Sequence, residues 1–401
     1  MSGWPSAVEY VSAVQNPPIC FDDSDLKGGQ PKLTSLGLPV CASGNFATVF
    51  RMENGAATFA ARCFTRPVVA DQQQRYAEIS KYFSGVSLGA LVAFEYLIKG
   101  IQIAGQWYPL LKMQWVKGKR LDTEVESRVG NPKGLEDLAT EWRSLMKDLR
   151  ANHISHCDLS HGNVMYNGGY LLIDYDGSWV SALAGTNSGE NGHPNFQHPE
   201  RVSAGYYEEN TDSFAALVIY LSLLALRSDS SLWPTYSNGD NLIFTAADFK
   251  APGTTPIWAR LKVSPDAEVV RLTEELQKFC GWPVSSVPDL ETILTQQPYP
   301  QPATPYTPST PRPRAAPPPR PRTPTMPIPV APAPRPVTTP LPPPLRPAMA
   351  QLATCPNCGT ASRAGSKFCA KCGYSVVTTT CPHCAQTTAV RTFCAHCGQR
   401  L

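Results

Sequence analysis

The sequence predicts an α+β body, a Pro-rich disordered linker and a small cysteine-paired tail, and three observations carry that prediction. Of the 40 prolines, 20 fall within residues 301–350. Eight of the 13 cysteines form four Cys-x-x-Cys pairs in the last 47 residues. The roughly 290 residues before the proline tract mix strand-like apolar runs with helix-period stripes, and they are numerous enough to bury a core that sustains itself without disulfide staples.

Charge divides the chain along the same lines. Up to Glu291 there are 24 Lys and Arg against 32 Asp and Glu, a balance of −8, and beyond it 11 basic residues and no acidic ones. The overall charge of +3 therefore joins an acidic body to a basic tail. The N-terminus, with Pro5 and Glu9, lacks the basic and apolar regions of a secretory signal, and the longest apolar run, Ala215 to Leu226, is too short to span a bilayer. The expectation is a soluble cytoplasmic protein with no membrane partner, whose thiols stay reduced.

In the tail, Cys355, Cys358, Cys369 and Cys372 make one set of four, and Cys381, Cys384, Cys394 and Cys397 a second. Each set can surround a tetrahedral ion. Zn2+ suits it, because a unit of about 20 residues has too little apolar surface to fold without metal–thiolate bond energy. The alternative, a disulfide cluster or redox dithiol, is disfavoured in a reducing compartment. The wording of both units, Cys-Pro-x-Cys followed by Phe-Cys-Ala-x-Cys-Gly, resembles the paired zinc ribbons at the ends of many prokaryotic proteins. The resemblance implies a double zinc ribbon over 351–401 with two structural Zn2+ ions. With each tetrathiolate centre counted at −2, the tail's net charge is about +7, which leaves a protein partner, a nucleic-acid partner and a plain structural role open. The linker, 296–350, cannot form a packed core and should populate extended polyproline II, reaching at most about 150 Å.

The most informative stretch of the body, His153 to Gly177, reads HISHCDLSHGNVMYNGGYLLIDYDG. Asp158 and Asn163 stand in one polar loop, and Asp174 follows the apolar run Tyr170 to Ile173, so three oxygen-bearing side chains can converge at adjacent strand ends. Mg2+ and a nucleotide need such oxygens. HCDLSHGN and IDYD resemble the catalytic loop and metal-binding motif of the protein kinase superfamily. The resemblance implies that Asp158 is the base for a substrate hydroxyl, that Asn163 and Asp174 hold Mg2+, and that His156 buttresses the loop.

Further matches follow in the family's order. Ala42, Gly44, Ala47 and Val49 lie in a stretch similar to a glycine-rich phosphate loop, and Arg62, in the strand Phe59 to Phe64, stands where kinases carry a lysine on the ATP phosphates. Glu78, in the helical stretch Asp71 to Phe83, is the nearest acidic candidate to pair with Arg62, the alternative being a solvated helix surface. Met113, Gln114 and Val116 fall in a segment resembling the hinge that presents backbone groups to adenine. Leu135, Leu138, Trp142, Leu145 and Leu149 mark an amphipathic helix. Gly192-His-Pro-Asn-Phe-Gln-His-Pro-Glu200 resembles the end of a protein kinase activation segment, and Asp212 the buried aspartate that ties down the catalytic loop. The implied architecture is a bilobal protein-kinase-like domain over 30–295, similar to bacterial serine/threonine kinase-like proteins, preceded by an N-terminal extension over 1–29.

Four departures stand out. Arg62 is planar and bidentate where an ammonium is usual, and Cys157 and Ser160 replace two cations. Asp176 replaces a glycine and reads as a solvent-facing carboxylate, the alternative being a further carboxylate near Mg2+. Without a cation at Cys157, phosphorylation of Thr186 or Ser188 is not expected to be needed for activity. The five cysteines of the body, Cys20, Cys41, Cys63, Cys157 and Cys280, read as small buried hydrophobes. The resemblance thus implies an ATP- and Mg2+-dependent kinase acting on Ser or Thr of a protein substrate, with the tail recruiting a partner. The alternatives are a pseudokinase scaffold, which the Gly-poor loop and the lost lysine favour, and a small-molecule phosphotransferase.

Overall fold

The computed structural model describes residues 4–43, 47–68, 71–188 and 190–302, together with four short strands of the tail. Gly44, the eight tail cysteines and most of the linker lie outside the described residues. The chain divides into two compact units, Met1–Ala315 and Ala316–Leu401, and each is described by itself.

The first unit opens with three short helices, α1 (Ala7–Val14), α2 (Pro17–Cys20) and α3 (Ser24–Lys27). Ser6 caps α1 in a reciprocal box with Glu9, satisfying two orphan donors at once. A six-stranded antiparallel sheet follows, made of β1 (Gln30–Pro31), β2 (Cys41–Ser43), β3 (Ala47–Asn54), β4 (Ala57–Phe64), β5 (Phe94–Ile103) and β6 (Gln106–Gln114), in the order β1-β3-β4-β6-β5 with β2 also on β3. Between β4 and β5 runs one long helix, α4 (Gln72–Ser84).

Alternation along the strands gives this sheet two different faces. Phe50, Met52, Ala61, Cys63, Ile101 and Leu110 bury one face against Tyr10, Val14, Cys20, Phe21 and Leu26. The N-terminal helices are therefore the cover of this sheet face. They are pinned by Tyr10, whose hydroxyl donates to the Phe64 carbonyl at 2.6 Å, and by Lys112, which pairs with Asp23 at 2.6 Å and Asp25 at 3.1 Å. Cys20, Cys63, Cys157 and Cys280 are buried as expected, but Cys41 is exposed because it sits on β2, whose one strand neighbour is β3.

The second layer is helical. After β7 (Lys119–Arg120) and α5 (Leu121–Arg128), the 20-residue α6 (Pro132–Ala151) buries Leu135, Leu138, Trp142, Leu145 and Leu149. It packs on α8 (Ser213–Ser228), the buried helix of this layer, and Trp142 donates its indole N–H to the Ala216 carbonyl at 3.0 Å. Between them the chain makes β8 (Ile154–Ser155), β9 (Val164–Tyr166), β10 (Tyr170–Leu172), β11 (Trp179–Val180) and α7 (Arg201–Ala204). The hairpin of β9 and β10 separates Asn163 from Asp174 in sequence and returns the chain to the same loop cluster, with the Ile173 N–H donating to the Asn163 carbonyl at 3.0 Å.

In the second unit, Ala353–Thr354 pairs with Ala361–Ser362 and Thr378–Thr380 with Thr387–Ala389, both antiparallel. In chain order each hairpin brackets the first Cys-x-x-Cys of one set of four. Among the described residues no helix is long and apolar enough to cross a membrane.

Tyr10 is fully buried, so Tyr10→Ala should lower unfolding stability by about 3–5 kcal/mol, and Tyr10→Phe, which loses one hydrogen bond, by about 1 kcal/mol. Urea denaturation of both variants checks whether the extension is part of the folded body.

Candidate active site

Cross-strand register lines up the phosphate-binding candidates. Ala42 pairs with Val49, Val49 with Arg62 and Arg62 with Leu111, which places all four in one row on the sheet face away from the N-terminal helices. Met113 pairs with Ala60 in the next row of that face, and Ala47 with Phe64 at the end of β4. Gln114 pairs with Phe59, so its side chain lies on the opposite face.

Met113, Gln114 and Val116 line a cavity of 650 Å³ with Thr58, Phe59 and Trp115. None of Arg62, Asp158, Asn163 and Asp174 lines this cavity. The Trp115 N–H is taken by the Thr58 carbonyl at 2.8 Å and the Gln114 N–H by the Ala93 carbonyl at 3.3 Å. Among the hinge candidates the structure brings Met113 onto the face that carries Arg62, and Val116 packs against the same core.

Opposite the sheet, Asp212 holds the loop that carries Asp158 by its backbone. Its two carboxylate oxygens accept the His156 N–H and, at 2.8 Å, the Cys157 N–H. Cys157 has φ 63, a left-handed turn that these two bonds secure. His156 joins its ring Nε2 to the Ile173 carbonyl at 3.0 Å, which links the loop to the strand leading into Asp174. Asp158 is aimed from two sides: Asn163 donates to Oδ2 at 2.8 Å, and the His193 backbone N–H donates to Oδ1 at 2.6 Å. Tyr175 is buried against Phe83 and Phe94, at ring separations of 5.0 and 5.3 Å, and its hydroxyl bridges the Leu172 carbonyl and the Val92 N–H. Asp174, with φ 67, is thereby turned back toward the sheet.

There it meets Arg62. The guanidinium lies 3.2 Å from Asp174 Oδ1 and 3.4 Å from Oδ2, and it pairs more closely with Asp176 Oδ1. The Tyr76 hydroxyl of α4 donates to that same Asp176 oxygen. Asp176 is therefore buried and ion-paired, and does not face solvent as the glycine comparison predicted. Glu78 is also corrected: the ion partners of Arg62 are Asp174 and Asp176, and Glu78 borders a surface hollow with Lys81, Tyr82 and Val86. Ser160, where a cation is usual, is buried.

The electrostatics follow from this crowding. Burial, opposed by Arg62 and reinforced by Asp176, pushes the Asp174 carboxyl up to about 7. Burial acts on Asp176 too, but Arg62 and the Tyr76 hydrogen bond outweigh it and hold that carboxyl below its usual range. Burial together with Asp176 and Asp174 pushes Glu190 up to about 8. Asp174 Oδ1 is buried and accepts no hydrogen bond. Several carboxyl groups thus gather about one guanidinium, a surplus of negative charge that a divalent cation would relieve. The oxygen-only pair Asn163 and Asp174 fits Mg2+, which is held by one or two protein groups plus substrate phosphates.

The segment after Asp176 is tied to both layers. Arg75 of α4, buried, donates to the Asn187 carbonyl at 3.0 Å and to the Tyr207 hydroxyl at 2.7 Å, and stands 3.5 Å from the Thr186 hydroxyl. The cation that Cys157 does not offer thus reaches Thr186 from the helix. Gly192 has φ 70, and a Cβ there would meet the Cys157 carbonyl at 2.9 Å and Arg201 Nη1 at 2.8 Å. Only glycine lets His193 reach Asp158 by this path. Tyr76, Arg75, Asp176 and Glu190 were missed or misread in the sequence, since no spacing rule relates them to Arg62.

The body has a protein-kinase-like fold. Its element order, its two layers, and the loop and strand positions of Asp158, Asn163, Asp174 and Asp212 carry that statement. Among solved structures, the Cydia pomonella granulovirus kinase PK-1 is similar at 15% identity and a TM-score of 0.43, over 64% of this chain and 88% of that one. Residues 355–398 match the family described as double zinc ribbon, which implies zinc binding by the tail of this kinase-like chain. No curated protein matches the sequence.

His198, in the segment ending at Glu200, gives a pH prediction. Its Nε2 donates to the Phe279 carbonyl at 2.9 Å and its Nδ1 accepts the Glu200 N–H at 3.1 Å, a pattern that only the neutral ring satisfies. Burial, partly offset by the Phe279 bond, lowers its pKa from 6.5 to about 4. Below pH 6.5 the unfolded chain takes a proton that the folded chain refuses, so stability falls as pH drops from 6.5 toward 4. The loss from this group reaches roughly 3 kcal/mol. Denaturant titrations between pH 7.5 and 4.5 should show a shallower loss for His198→Gln than for the parent.

Proposed function

We propose that the chain is an ATP- and Mg2+-dependent protein kinase that transfers the γ-phosphoryl group to Ser or Thr of a protein substrate. The observation that carries this reading is the meeting of Arg62, from the sheet, with Asp174, from the helical layer, at 3.2 Å, beside an Asp158 carboxylate already oriented by Asn163. A magnesium ion, when bound, would neutralise phosphate charge during transfer. Arg62 would bind phosphate oxygens, Asn163 and Asp174 would hold the metal, and Asp158 would accept the hydroxyl proton of the substrate. Ala42, Gly44, Ala47 and Val49 would cover the phosphates, and Met113, Gln114 and Val116 would border the adenine.

The His193 contact with Asp158 supports a protein substrate over a small molecule, because it holds the Gly192–Glu200 segment, which resembles the end of a protein kinase activation segment, beside the proposed base. A second reading, the pseudokinase scaffold, is favoured by the pairing of Arg62 with two carboxylates and by the loss of cations at Cys157 and Ser160. The tail would hold two structural Zn2+ ions and recruit a protein or nucleic-acid partner, in the cytoplasm, where its thiolates stay reduced.

Labelled ATP and Mg2+, offered to the full chain with general protein substrates, should label the chain itself or a substrate. Asp158→Asn should cut the rate by about two to four orders of magnitude, and Asp174→Ala should abolish it. Nucleotide binding with no labelling would establish the scaffold reading instead. Elemental analysis should find two zinc ions per chain. Their removal by chelator should unfold the tail and leave the melting of the kinase-like body unchanged.

A further inference from the structure

We infer that Asp176, held by Tyr76, is a positioning residue that anchors Arg62 for the nucleotide phosphates, so that helix α4 is coupled to the nucleotide-binding cation through a phenol and not through a carboxylate of its own. The inference rests on the phosphotransfer reading above and deepens it.

Three observations carry it. First, the two carboxylates on Arg62 differ in kind. Asp176 keeps 5% of its side chain exposed and shares one oxygen between Arg62 and Tyr76, whereas Asp174, with its Oδ1 buried, keeps 36% of its side chain as a whole exposed and holds Arg62 at 3.2 and 3.4 Å. A cation taking Asp174 would leave Arg62 still tethered by Asp176. Second, Tyr76 is fixed on every side. It is 1% exposed, stacks on Tyr96 at 5.2 Å, meets Phe94 edge-on at 6.0 Å, and accepts from Gln72 at 3.1 Å while donating to Asp176. Its hydroxyl thus points one way, and the position of α4 sets where Asp176 sits. Third, Glu78 is not a partner of Arg62, so the helix offers the cation no direct carboxylate.

The chemistry of arginine explains why these features occur together. A guanidinium presents donors on more than one side of a planar fork, and one acceptor cannot satisfy it when it is buried. Arg62 keeps only 11% of its side chain exposed. A strand arginine therefore needs a second buried carboxylate, and Asp176, two residues after Asp174, supplies it from the same turn.

The test uses the full chain. Affinity for a fluorescent ATP analogue with Mg2+ is measured for the parent, Asp176→Asn, Asp176→Gly, Tyr76→Phe and the double variant Tyr76→Glu/Asp176→Gly, along with amide hydrogen exchange across α4 without nucleotide. The two Asp176 variants should bind about tenfold more weakly and exchange faster in α4, with a smaller effect from Tyr76→Phe. The double variant, which moves the carboxylate onto the helix, should recover affinity relative to Asp176→Gly. Unchanged affinity in Asp176→Asn, or a double variant no better than Asp176→Gly, overturns the inference while leaving phosphotransfer intact. A parent that binds no nucleotide overturns the phosphotransfer reading, and the anchoring role with it.

Discussion

A buried guanidinium is the constraint around which this body is organised. Arg62 sits near the end of β4 on the sheet face that looks toward the helical layer, and a cation there is tolerable only if carboxylates from elsewhere come to it. The chain meets that demand with Asp174 and Asp176, two residues of one turn, and orients the turn by burying Tyr175 between them. Because the cation belongs to one layer and the acids to the other, the ion pairs also hold the two layers together at the place where the proposed chemistry occurs.

The rest of the architecture can be read as support for that contact. The N-terminal helices cover the outer face of the sheet, so that its inner face is free to carry polar groups. Asp212, at the start of the buried α8, fixes the backbone of the loop that carries Asp158, and His156 carries that order on to Ile173 and hence to Asp174. Arg75 and Tyr76 are consecutive residues of α4 with separate duties: one grips the segment at Asn187 and Tyr207, the other grips Asp176.

Much of this was legible in the sequence, and the limits of legibility have physical causes. The loop spacing of Asp158 and Asn163, the strand before Asp174 and the stripe of α6 are local patterns, and the structure places them as local patterns require. Glu78 was misplaced because an acidic residue in a helix says nothing about helix phase: Tyr76 faces the site, and two residues further on the helix has turned by about 200°. Asp176 was misread because a glycine position suggests space, whereas burial against Arg62 is a tertiary fact. Arg75 escaped notice because its partners lie more than a hundred residues away, as the separations of 112 to Asn187 and 132 to Tyr207 make plain.

The account stands or falls on whether Arg62 and the carboxylates beside it form a site for a metal-bound nucleotide. Titration calorimetry of a non-hydrolysable ATP analogue into the full chain, with and without Mg2+, for the parent and for Arg62→Ala, measures that directly. Binding that requires Mg2+ and weakens at least tenfold in Arg62→Ala is the predicted result. No binding, or binding indifferent both to Mg2+ and to the loss of the guanidinium, would contradict it.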